Sequence, residues 1–367
     1  MTNALHQPPF RARQDRARVA LRRAGIDALL LSIGADLPYF TGYEAMPLER
    51  LTMLVLPRDG EAILVVPELE APRVPDNNAC TLAPWSETGD PIAMVAELVG
   101  ASGRLAIGDH TWSQFTLSLQ TAVPRASWVS ASVVTGPLRA VKDAVEVSAL
   151  RAAARAVDAI AAEMRSRPFG GRTERELSRE IGNRLLERGH QRVNFAIVGS
   201  GPNGASPHHD AGARVIADGD LVVCDFGGTM DGYCSDITRM YVVGEPTSAI
   251  ADTYAALVEA QELAVQSAIV GTQCARVDAV ARRSLGAHGL ADAFIHRVGH
   301  GIGLEAHEDP YLVRGNETLL AAGHAFSIEP GVYFPGRWGM RLEDIVVATD
   351  SGPDRLNLAP RDLAVVG

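Results

Sequence analysis

The chain has 367 residues, of which 47% are hydrophobic and 21% charged, and its formal net charge is −10. This length suggests two domains or one large one, and an acidic chain without a basic run is a poor partner for nucleic acid. No stretch approaches the ~20 apolar residues of a membrane span, and the N-terminus has no apolar core of signal-peptide type.

The first part of the chain alternates between helix and strand patterns. A helix is predicted over 14–24, where Gly25 ends it, and a buried strand over 26–34. Apolar runs over 51–57 and 62–67 flank the turn Arg-Asp-Gly-Glu and predict a hairpin. Further helix and strand patterns alternate over 91–100, 104–109, 111–121 and 126–132. This alternation predicts an α/β domain, and no cluster of ligand-type side chains accompanies it.

The boundary between two domains is predicted where Gly136 and Pro137 interrupt the periodic pattern. We therefore expect a first domain over residues 1–136 and a second over 137–367. A long, alanine-rich amphipathic helix is predicted near the start of the second domain, over 143–165.

Strands and turns dominate the remainder of the second domain. Thr173 first opens a helix with a capping box, since Glu176 stands three positions later. Beyond Gly189 the apolar runs are short and strand-like, and helix patterns over 247–270 and 274–287 interrupt them. Strands grouped around helices, rather than strictly alternating with them, predict an α+β domain with an antiparallel sheet.

Two aspartates lie in a predicted hairpin, DLVVCDFGGTMDGYCSDITRMYVVG (220–244). Asp225 ends the first apolar strand, and Asp236 lies in the second strand. A hairpin can place both side chains on one face, where two carboxylates repel each other unless a cation lies between them. The alternative is a pair of ordinary turn and edge aspartates, although an unpaired carboxylate at the end of a buried strand is costly.

Three histidines occupy the glycine-rich segment HRVGHGIGLEAHEDP (296–310). Gly299, Gly301 and Gly303 bracket His300, so the backbone can pass close to a metal ion or a substrate. A lone histidine is more often a packed or surface residue. Three of the chain's 10 histidines in one such segment indicate a site instead.

Two glutamates interrupt apolar strand patterns, in SIEPGVYF and MRLEDIVVAT. A buried carboxylate needs a cation, a metal ion or a hydrogen-bond network, and Arg341 is the alternative partner for the second of them. One imidazole and four carboxylates thus fit a pair of divalent ions: Asp225, Asp236, His300, Glu329 and Glu343. Two such ions can hold one bridging water and make it a nucleophile near neutral pH.

The segment IVGSGPNGASPHHD satisfies the dinucleotide-binding pattern GxGxxG with Gly199, Gly201 and Gly204. A dinucleotide site would need a helix that starts there, whereas the prolines and polar residues of this segment predict a loop. His208 and His209, at the end of that loop, are better interpreted as groups delivered to a pocket.

These blocks resemble the metallopeptidases of the methionine aminopeptidase, aminopeptidase P and prolidase group, which share the pita-bread fold. Four blocks match in order: DFGGTMDGYCSDITR, HRVGHGIGLEAHEDP, SIEPGVY and MRLEDIVV. The first half, with YFTGY (39–43), resembles the creatinase-type domain that precedes the catalytic domain in proline-specific members. The resemblance implies an α/β N-terminal domain followed by an α+β pita-bread catalytic domain.

The resemblance also implies a ligand set for two divalent metal ions per chain. Asp236 and Glu343 would bridge both ions. Asp225 would complete the ligands of one ion, and His300 and Glu329 those of the other. Glu343 would in addition relay a proton towards the leaving nitrogen. Manganese is the expected metal, with cobalt, zinc or iron as alternatives, because carboxylate-rich sites accept all of them.

Further positions match residues that act near the substrate. His208 matches a loop histidine that assists the tetrahedral intermediate, and His307 matches one that contacts the scissile region. His296 matches a residue near the carboxyl side of the substrate, and Arg341 matches the arginine just before the bridging glutamate. Arg314, in YLVRGNE, is either a solvated loop arginine or a group that binds the carboxylate of the substrate through two parallel hydrogen bonds.

The implied activity is hydrolysis of the Xaa-Pro imide bond in dipeptides or short peptides, through a metal-bridging hydroxide. Aminopeptidase P activity on longer Xaa-Pro-Yaa peptides is one alternative. A creatinase-type C–N hydrolase and a binding module on the same fold are others, but such relatives lack the metal ligands, whereas this chain keeps all five. The stretch AAGHAF, with His324, departs from the usual pattern but contains no ligand.

The expected partners are a small peptide and a second copy of the chain, since relatives are commonly dimers. Neither nucleic acid nor a membrane is expected. The cysteines form no CxxC pair, which predicts reduced thiols in a cytoplasmic protein: Cys80, Cys224, Cys234 and Cys274.

Overall fold

A computed structural model describes residues 9–367 of the chain, which form two compact units that divide between Arg139 and Ala140. Among these residues no helix is both long and apolar enough to cross a membrane. The four cysteines are free thiols, as the sequence predicts.

The first unit is an α/β domain on one mixed sheet. Its elements are α1 Phe10–Ala24, β1 Ala28–Leu31, α2 Asp36–Thr41, β2 Met53–Pro57, β3 Ile63–Pro67, β4 Thr81–Trp85, α3 Pro91–Val99, β5 Ser102–Ile107, α4 Ser113–Ala122, β6 Arg125–Ser130 and α5 Ser132–Ala140. The strand order is β4-β3-β2-β1-β5-β6. The predicted hairpin is present as the antiparallel β2–β3 pair, and Gly25 ends α1 in the left-handed conformation that glycine adopts without strain.

One prediction for the first unit is wrong. The sequence predicts an interruption at Gly136 and Pro137, but α5 continues through both residues. A proline inside a helix removes one backbone hydrogen bond, yet its fixed φ is compatible with helical geometry. The short helix α2 and the short strand β4 are also absent from the sequence prediction, because neither shows a sustained periodic pattern.

The second unit is an α+β domain. Its elements are α6 Ala144–Met164, α7 Glu174–Glu187, β7 Arg192–Ser200, β8 Leu221–Met230, β9 Tyr233–Cys234, β10 Ile237–Val243, α8 Ser248–Ser267, α9 Cys274–Ala287, β11 Gly299–Gly301, β12 Glu308–Leu312, β13 Ala325–Ile328, β14 Gly331–Phe334, β15 Trp338–Arg341, β16 Asp344–Thr349, β17 Gly352–Arg355 and β18 Ala364–Val366. Thr173 caps α7 with Glu176 in the predicted capping box, and Asp143 caps α6 in the same way.

Two sheets form the centre of the second unit. One has the order β18-β10-β8-β7, with β9 on β8, and the other has the order β12-β11-β13-β16-β17. Side chains on β8 alternate between two cores: Leu221 and Val223 pack with α8 and α9, whereas Val222 and Cys224 pack with α6 and α7. Helices thus cover β8 on both faces, which explains why its sequence is almost continuously apolar.

Candidate active site

Asp225 and Asp236 lie on one face of the β8–β10 pair. Thr238 on β10 is the register partner of Asp225 on β8. Residues two positions apart on a strand share a face, so Asp236 lies diagonally across from Asp225. Both aspartates are buried, with exposed fractions of 7% and 4%. The structure therefore brings together the two carboxylates that the predicted hairpin places on one face.

His300 and Glu329 approach Asp236 from the other sheet. His300 lies in β11, and Glu329 follows β13 directly. The Nε2 atom of His300 lies 3.1 Å from Oε1 of Glu329 and 4.0 Å from Oδ2 of Asp236. Its Nδ1 donates to the carbonyl oxygen of Gly301 at 3.2 Å. This hydrogen bond directs Nε2 towards the carboxylates, where it can take a metal ion or a proton.

Gly299 and Gly301, on either side of His300, have no room for a side chain because the neighbouring backbone passes close to them. A side chain at Gly299 would lie 1.9 Å from the carbonyl oxygen of Ser327, and one at Gly301 would lie 2.2 Å from that of Asp309. The hydroxyl of Ser327 accepts from the backbone N–H of His300 and donates to Glu329, both at 3.0 Å. Close packing of β11 on its neighbours thus sets the position of His300 relative to Glu329.

Glu343 joins the two sheets at the cluster. It lies between β15 and β16, is only 1% exposed, and forms an isolated antiparallel bridge with Thr238. The hydroxyl of Thr238 donates to Oε2 of Glu343 at 2.8 Å, which fixes that carboxylate beside Asp225 and Asp236. One ligand atom each from Asp236, His300 and Glu343 lies within 4.8 Å of the others.

The cluster carries more negative charge than its protein partners neutralise. Three of its buried carboxylate oxygens have no hydrogen-bond partner within residues 9–367: Oδ1 of Asp225, Oδ1 of Asp236 and Oε1 of Glu343. Burial and then the charge of Glu343 raise the pKa of Asp236 well above its usual value. Burial and then the charge of Glu329 raise the pKa of Glu343 in the same way. These residues therefore fit divalent cations, which would satisfy the oxygens and remove the repulsion.

Arg341 connects the cluster to His296. Its guanidinium forms a buried ion pair with Asp225 and donates to the hydroxyl oxygens of Thr238 at 3.2 Å and Tyr333 at 2.9 Å. Tyr333 in turn lies 2.9 Å from Nε2 of His296, whose Nδ1 donates to a backbone carbonyl. The Tyr333 hydroxyl therefore donates to His296. Arg341 is 3% exposed, and its guanidinium forms its hydrogen bonds with protein groups.

The other predicted substrate residues lie at different depths. The ring of His307 contacts that of His300, with centroids 3.9 Å apart and the planes tilted by 42°, although His307 also reaches solvent. Desolvation by its neighbours, and then charges on His300, Arg297 and His208, lower the pKa of His307 to about 4. His208 is therefore within electrostatic reach of His307. Arg314 is exposed in the turn after β12, and within residues 9–367 no hydrogen bond or ion pair joins it to the cluster.

Sequence reasoning misses three residues of the site. Thr238 joins Glu343 to Arg341, and Tyr333 joins Arg341 to His296. Each stands within four positions of a predicted ligand in an already recognised block. Arg297 places Nη2 3.4 Å from Nδ1 of His307, and its guanidinium lies 4.5 Å from the ring centre of Tyr311. Arg297 could have been predicted from its position directly after His296 in the glycine-rich segment.

A buried carboxylate–histidine cluster between the sheets of an α+β domain defines a metal-dependent hydrolase. The family model for metallopeptidase family M24 matches residues 148–350, and that for the creatinase/prolidase N-terminal domain matches residues 13–141. The chain belongs to metallopeptidase family M24, and the predicted combination of a creatinase-type domain with a pita-bread catalytic domain is confirmed.

Similar proteins agree with this assignment over nearly the whole chain. A probable dipeptidase PepE of Mycobacterium bovis is 43% identical over 356 residues, which is 95% of each chain. The crystal structure of dipeptidase PepE from Mycobacterium ulcerans is 42% identical and superimposes with a TM-score of 0.92 over 99% of both chains. A recombinant prolidase from Thermococcus sibiricus is 35% identical, with a TM-score of 0.92 over 96% of this chain and 98% of its own.

Proposed function

We propose that this metallopeptidase is an Xaa-Pro dipeptidase that uses two divalent metal ions, manganese being the first candidate. The observation that carries the proposal is the buried cluster of four carboxylates and one imidazole with three unsatisfied oxygens. The names of similar proteins, dipeptidase PepE and prolidase, support a dipeptide substrate. We further propose a cytoplasmic homodimer, which light scattering and cell fractionation would test.

Five residues would hold the ions, with Asp236 and Glu343 shared between them: Asp225, Asp236, His300, Glu329 and Glu343. The ions, when bound, supply Lewis acidity and a water of lowered pKa. The family resemblance assigns Asp236 and Glu343 to the shared positions, and Asp225, Asp236 and Glu343 each keep one oxygen without a protein partner in residues 9–367.

The remaining residues of the site would handle the substrate and its protons. His307, whose ring lies beside that of His300 and which is open to solvent, would contact the scissile region and donate to a developing oxyanion. Glu343, held at Oε2 by Thr238, would also relay a proton towards the leaving nitrogen. A prolyl imide has no N–H. Recognition of this substrate therefore depends on the ring and on the free carboxylate beyond it.

Three residues are candidates for binding the carboxyl side of the substrate. His296 is held by Tyr333, and Arg297 contacts His307. Arg314, the arginine proposed from the sequence, lies exposed on the turn after β12. Arg341 is also proposed from the sequence as a substrate residue, and through Tyr333 it would act by orienting His296.

The decisive experiment compares Ala-Pro with Ala-Pro-Ala as substrates of the purified full-length chain, each with added manganese, cobalt or zinc. The expected result is a higher kcat/KM for Ala-Pro, about two divalent ions per chain by elemental analysis, as a site of this kind would bind, and loss of activity in chelator. A preference for Ala-Pro-Ala would instead assign aminopeptidase P activity. Full activity of the metal-free protein would reject the metallopeptidase mechanism.

A further inference from the structure

The loop that carries His208 is bound to a buried carboxylate outside the ligand cluster. Glu174, the first residue of α7, is 0% exposed. Its Oε1 accepts from the backbone N–H of Ser200 at 2.8 Å and from the Ser200 hydroxyl at 2.7 Å. Its Oε2 accepts from Nε2 of His209 at 2.8 Å and from the backbone N–H of Gly212 at 3.3 Å. One side chain thus fastens both ends of the segment 200–212.

The middle of this segment is attached to the same carboxylate. The side-chain amide of Asn203 lies 3.1 Å from each oxygen of Glu174. Burial alone would raise the pKa of Glu174, but the hydrogen bonds from Ser200, His209 and Asn203 outweigh it and lower that pKa. Glu174 is therefore held as a carboxylate, and the hydrogen bonds that it accepts come from one loop.

The glycine pattern of this loop has a packing explanation. A side chain at Gly199 would lie 3.1 Å from the Cα of Gly204, and one at Gly339 would lie 2.2 Å from the carbonyl oxygen of Gly204. Gly339 belongs to β15, the strand that ends with Arg341. The GxGxxG sequence thus lets the loop fold tightly on itself and against β15, while Glu174 binds it at Ser200, Asn203 and His209. A short 3-10 helix, Gly201–Ala205, replaces the longer helix that a dinucleotide site requires.

His209 and His208 are adjacent but have different surroundings. His209 is partly buried and donates from Nε2 to Glu174, because a carboxylate can only accept. His208 is exposed and belongs to the loop whose Gly204 packs against β15, the strand that ends with Arg341. Because the ring of His209 is held by Glu174, the backbone of the preceding residue is restricted, and so are the directions in which His208 can point.

We propose that Glu174 is a positioning residue of the hydrolytic site: through His209, Ser200 and Asn203 it holds the loop 200–212 so that His208 faces the substrate. This inference rests on the proposed function and on the role of His208 that the family resemblance implies. Replacing Glu174 by glutamine keeps the size of the side chain but turns one acceptor oxygen into a donor, which then opposes donors of the loop.

The test is a double-mutant cycle on Ala-Pro hydrolysis by the metal-loaded full chain. Glu174→Gln should lower kcat by about 10–100-fold, within the range for a misplaced general acid or base, with KM and metal content nearly unchanged. In the His208→Ala background the same substitution should have almost no further effect, because the residue it positions is gone. Glu176→Gln, in the same helical turn but outside the loop contacts, is the matched control and should leave kcat unchanged.

Two outcomes would overturn the proposal. One is an equal loss of kcat from Glu174→Gln in the wild-type and His208→Ala backgrounds, and the other is an unchanged kcat. If Glu174→Gln does not fold, His209→Ala replaces it in the same cycle, because His209 is partly exposed and its removal keeps Glu174 bound to Ser200 and Asn203.

Hydrogen exchange separates this proposal from the proposed function, since it needs no substrate. Amides of the segment 201–212 should exchange at least about tenfold faster in Glu174→Gln than in wild type, whereas those of 302–308 should not change. Unchanged exchange in 201–212 would refute the attachment itself. Inactivity of the wild-type chain on every Xaa-Pro peptide, with faster exchange in the variant, would reject only the dipeptidase function.

Discussion

Lys142, the single lysine of the chain, places its Nζ atom 2.6 Å from Oε1 of Glu308. Both side chains are buried, with exposed fractions of 1% and 7%. Lys142 precedes α6, whereas Glu308 begins β12 and directly follows His307. The ion pair therefore fastens the segment that carries His307 to the beginning of the catalytic unit.

Lys142→Met should destabilise the protein by about 3–5 kcal/mol, because it leaves the buried charge of Glu308 without this ammonium group. The double variant Lys142→Met/Glu308→Leu should recover most of that loss, since it removes both charges. Thermal unfolding midpoints would measure the effect. Arg151→Met is the matched control: it removes the half-exposed ion pair with Asp354, which should change stability by less than ~1 kcal/mol.

The clustering of these buried carboxylates could be predicted from the sequence because several of them contradict their local pattern. Asp225 ends an apolar strand, and Glu329 and Glu343 interrupt others, so the residue type itself signals a partner. The strands and long helices were equally predictable, because their apolar residues follow the period of 2 or 3.6 that burial on one face requires.

Partnerships between distant residues could not be predicted in this way. Arg341 pairs with Asp225, which lies 116 positions earlier, and Glu174 binds His209, 35 positions later. Arginine and glutamate are usual at exposed positions, so the residue type does not reveal a partner that lies far away in the sequence. Only the pairing of β10 with Glu343, and of α7 with the loop after β7, brings the partners together.

Asp236→Asn should stabilise the metal-free protein and reduce the stability that it gains from metal. Without metal, the buried carboxyl has a raised pKa, so ionising it costs stability at neutral pH, and its removal should stabilise the protein by on the order of 1–3 kcal/mol. With saturating manganese, the variant should gain less from the ion than wild type does. Unfolding midpoints in chelator and in manganese would show this.

The matched control for that comparison is Asp252→Asn, at an exposed position of α8. It should change the free energy of unfolding by no more than ~0.5 kcal/mol, in chelator or in manganese. If Asp236→Asn instead destabilises the chelated protein as much as the manganese-loaded one, then Asp236 is a structural residue and not a ligand.

His307→Ala should lower kcat on Ala-Pro by about 10²–10³-fold, the usual size of a lost oxyanion donor or acid–base group. Metal content should remain near that of wild type, because His307 contacts the ring of His300 without belonging to the ligand set. Stopped-flow or steady-state kinetics with parallel elemental analysis would measure both quantities. A variant that loses its metal would show that His307 is itself a ligand.

His324 should make the protein sensitive to acid. It is buried, and its Nδ1 accepts from the backbone N–H of Ala321 at 3.2 Å. Burial and then the charge of Lys142 lower its pKa from 6.5 to about 4. The unfolded chain therefore takes up the proton first, so stability falls as the pH drops from 6.5 and the loss is complete near pH 4.

His324→Gln should flatten this part of the pH profile, because glutamine still offers an acceptor but does not titrate. Unfolding midpoints across the interval from pH 6.5 to pH 4 would measure the slope. His288→Gln, at an exposed histidine of the same unit, controls for the loss of one imidazole. Equal slopes for wild type and His324→Gln would assign the acid sensitivity to other groups.

The choice between dipeptide and longer substrates should depend on an arginine near His307. A dipeptide has a free carboxylate just after the proline ring, and a guanidinium can bind it through two parallel hydrogen bonds. The sequence proposes Arg314 for this role, but Arg314 is exposed, whereas Arg297 contacts His307 and lies over the ring of Tyr311. We therefore expect the larger effect from Arg297.

Arg297→Ala should raise KM for Ala-Pro by about 10–100-fold, the equivalent of a lost charge-assisted hydrogen bond of ~1.5–3 kcal/mol. KM for Ala-Pro-Ala should change less, because its carboxylate lies one residue further along the peptide. Arg314→Ala is the matched comparison and should retain most of the preference for Ala-Pro. The reverse pattern, with Ala-Pro binding lost only in Arg314→Ala, would return the role to Arg314. Unchanged KM values in both variants would exclude either arginine as the group that binds the carboxylate.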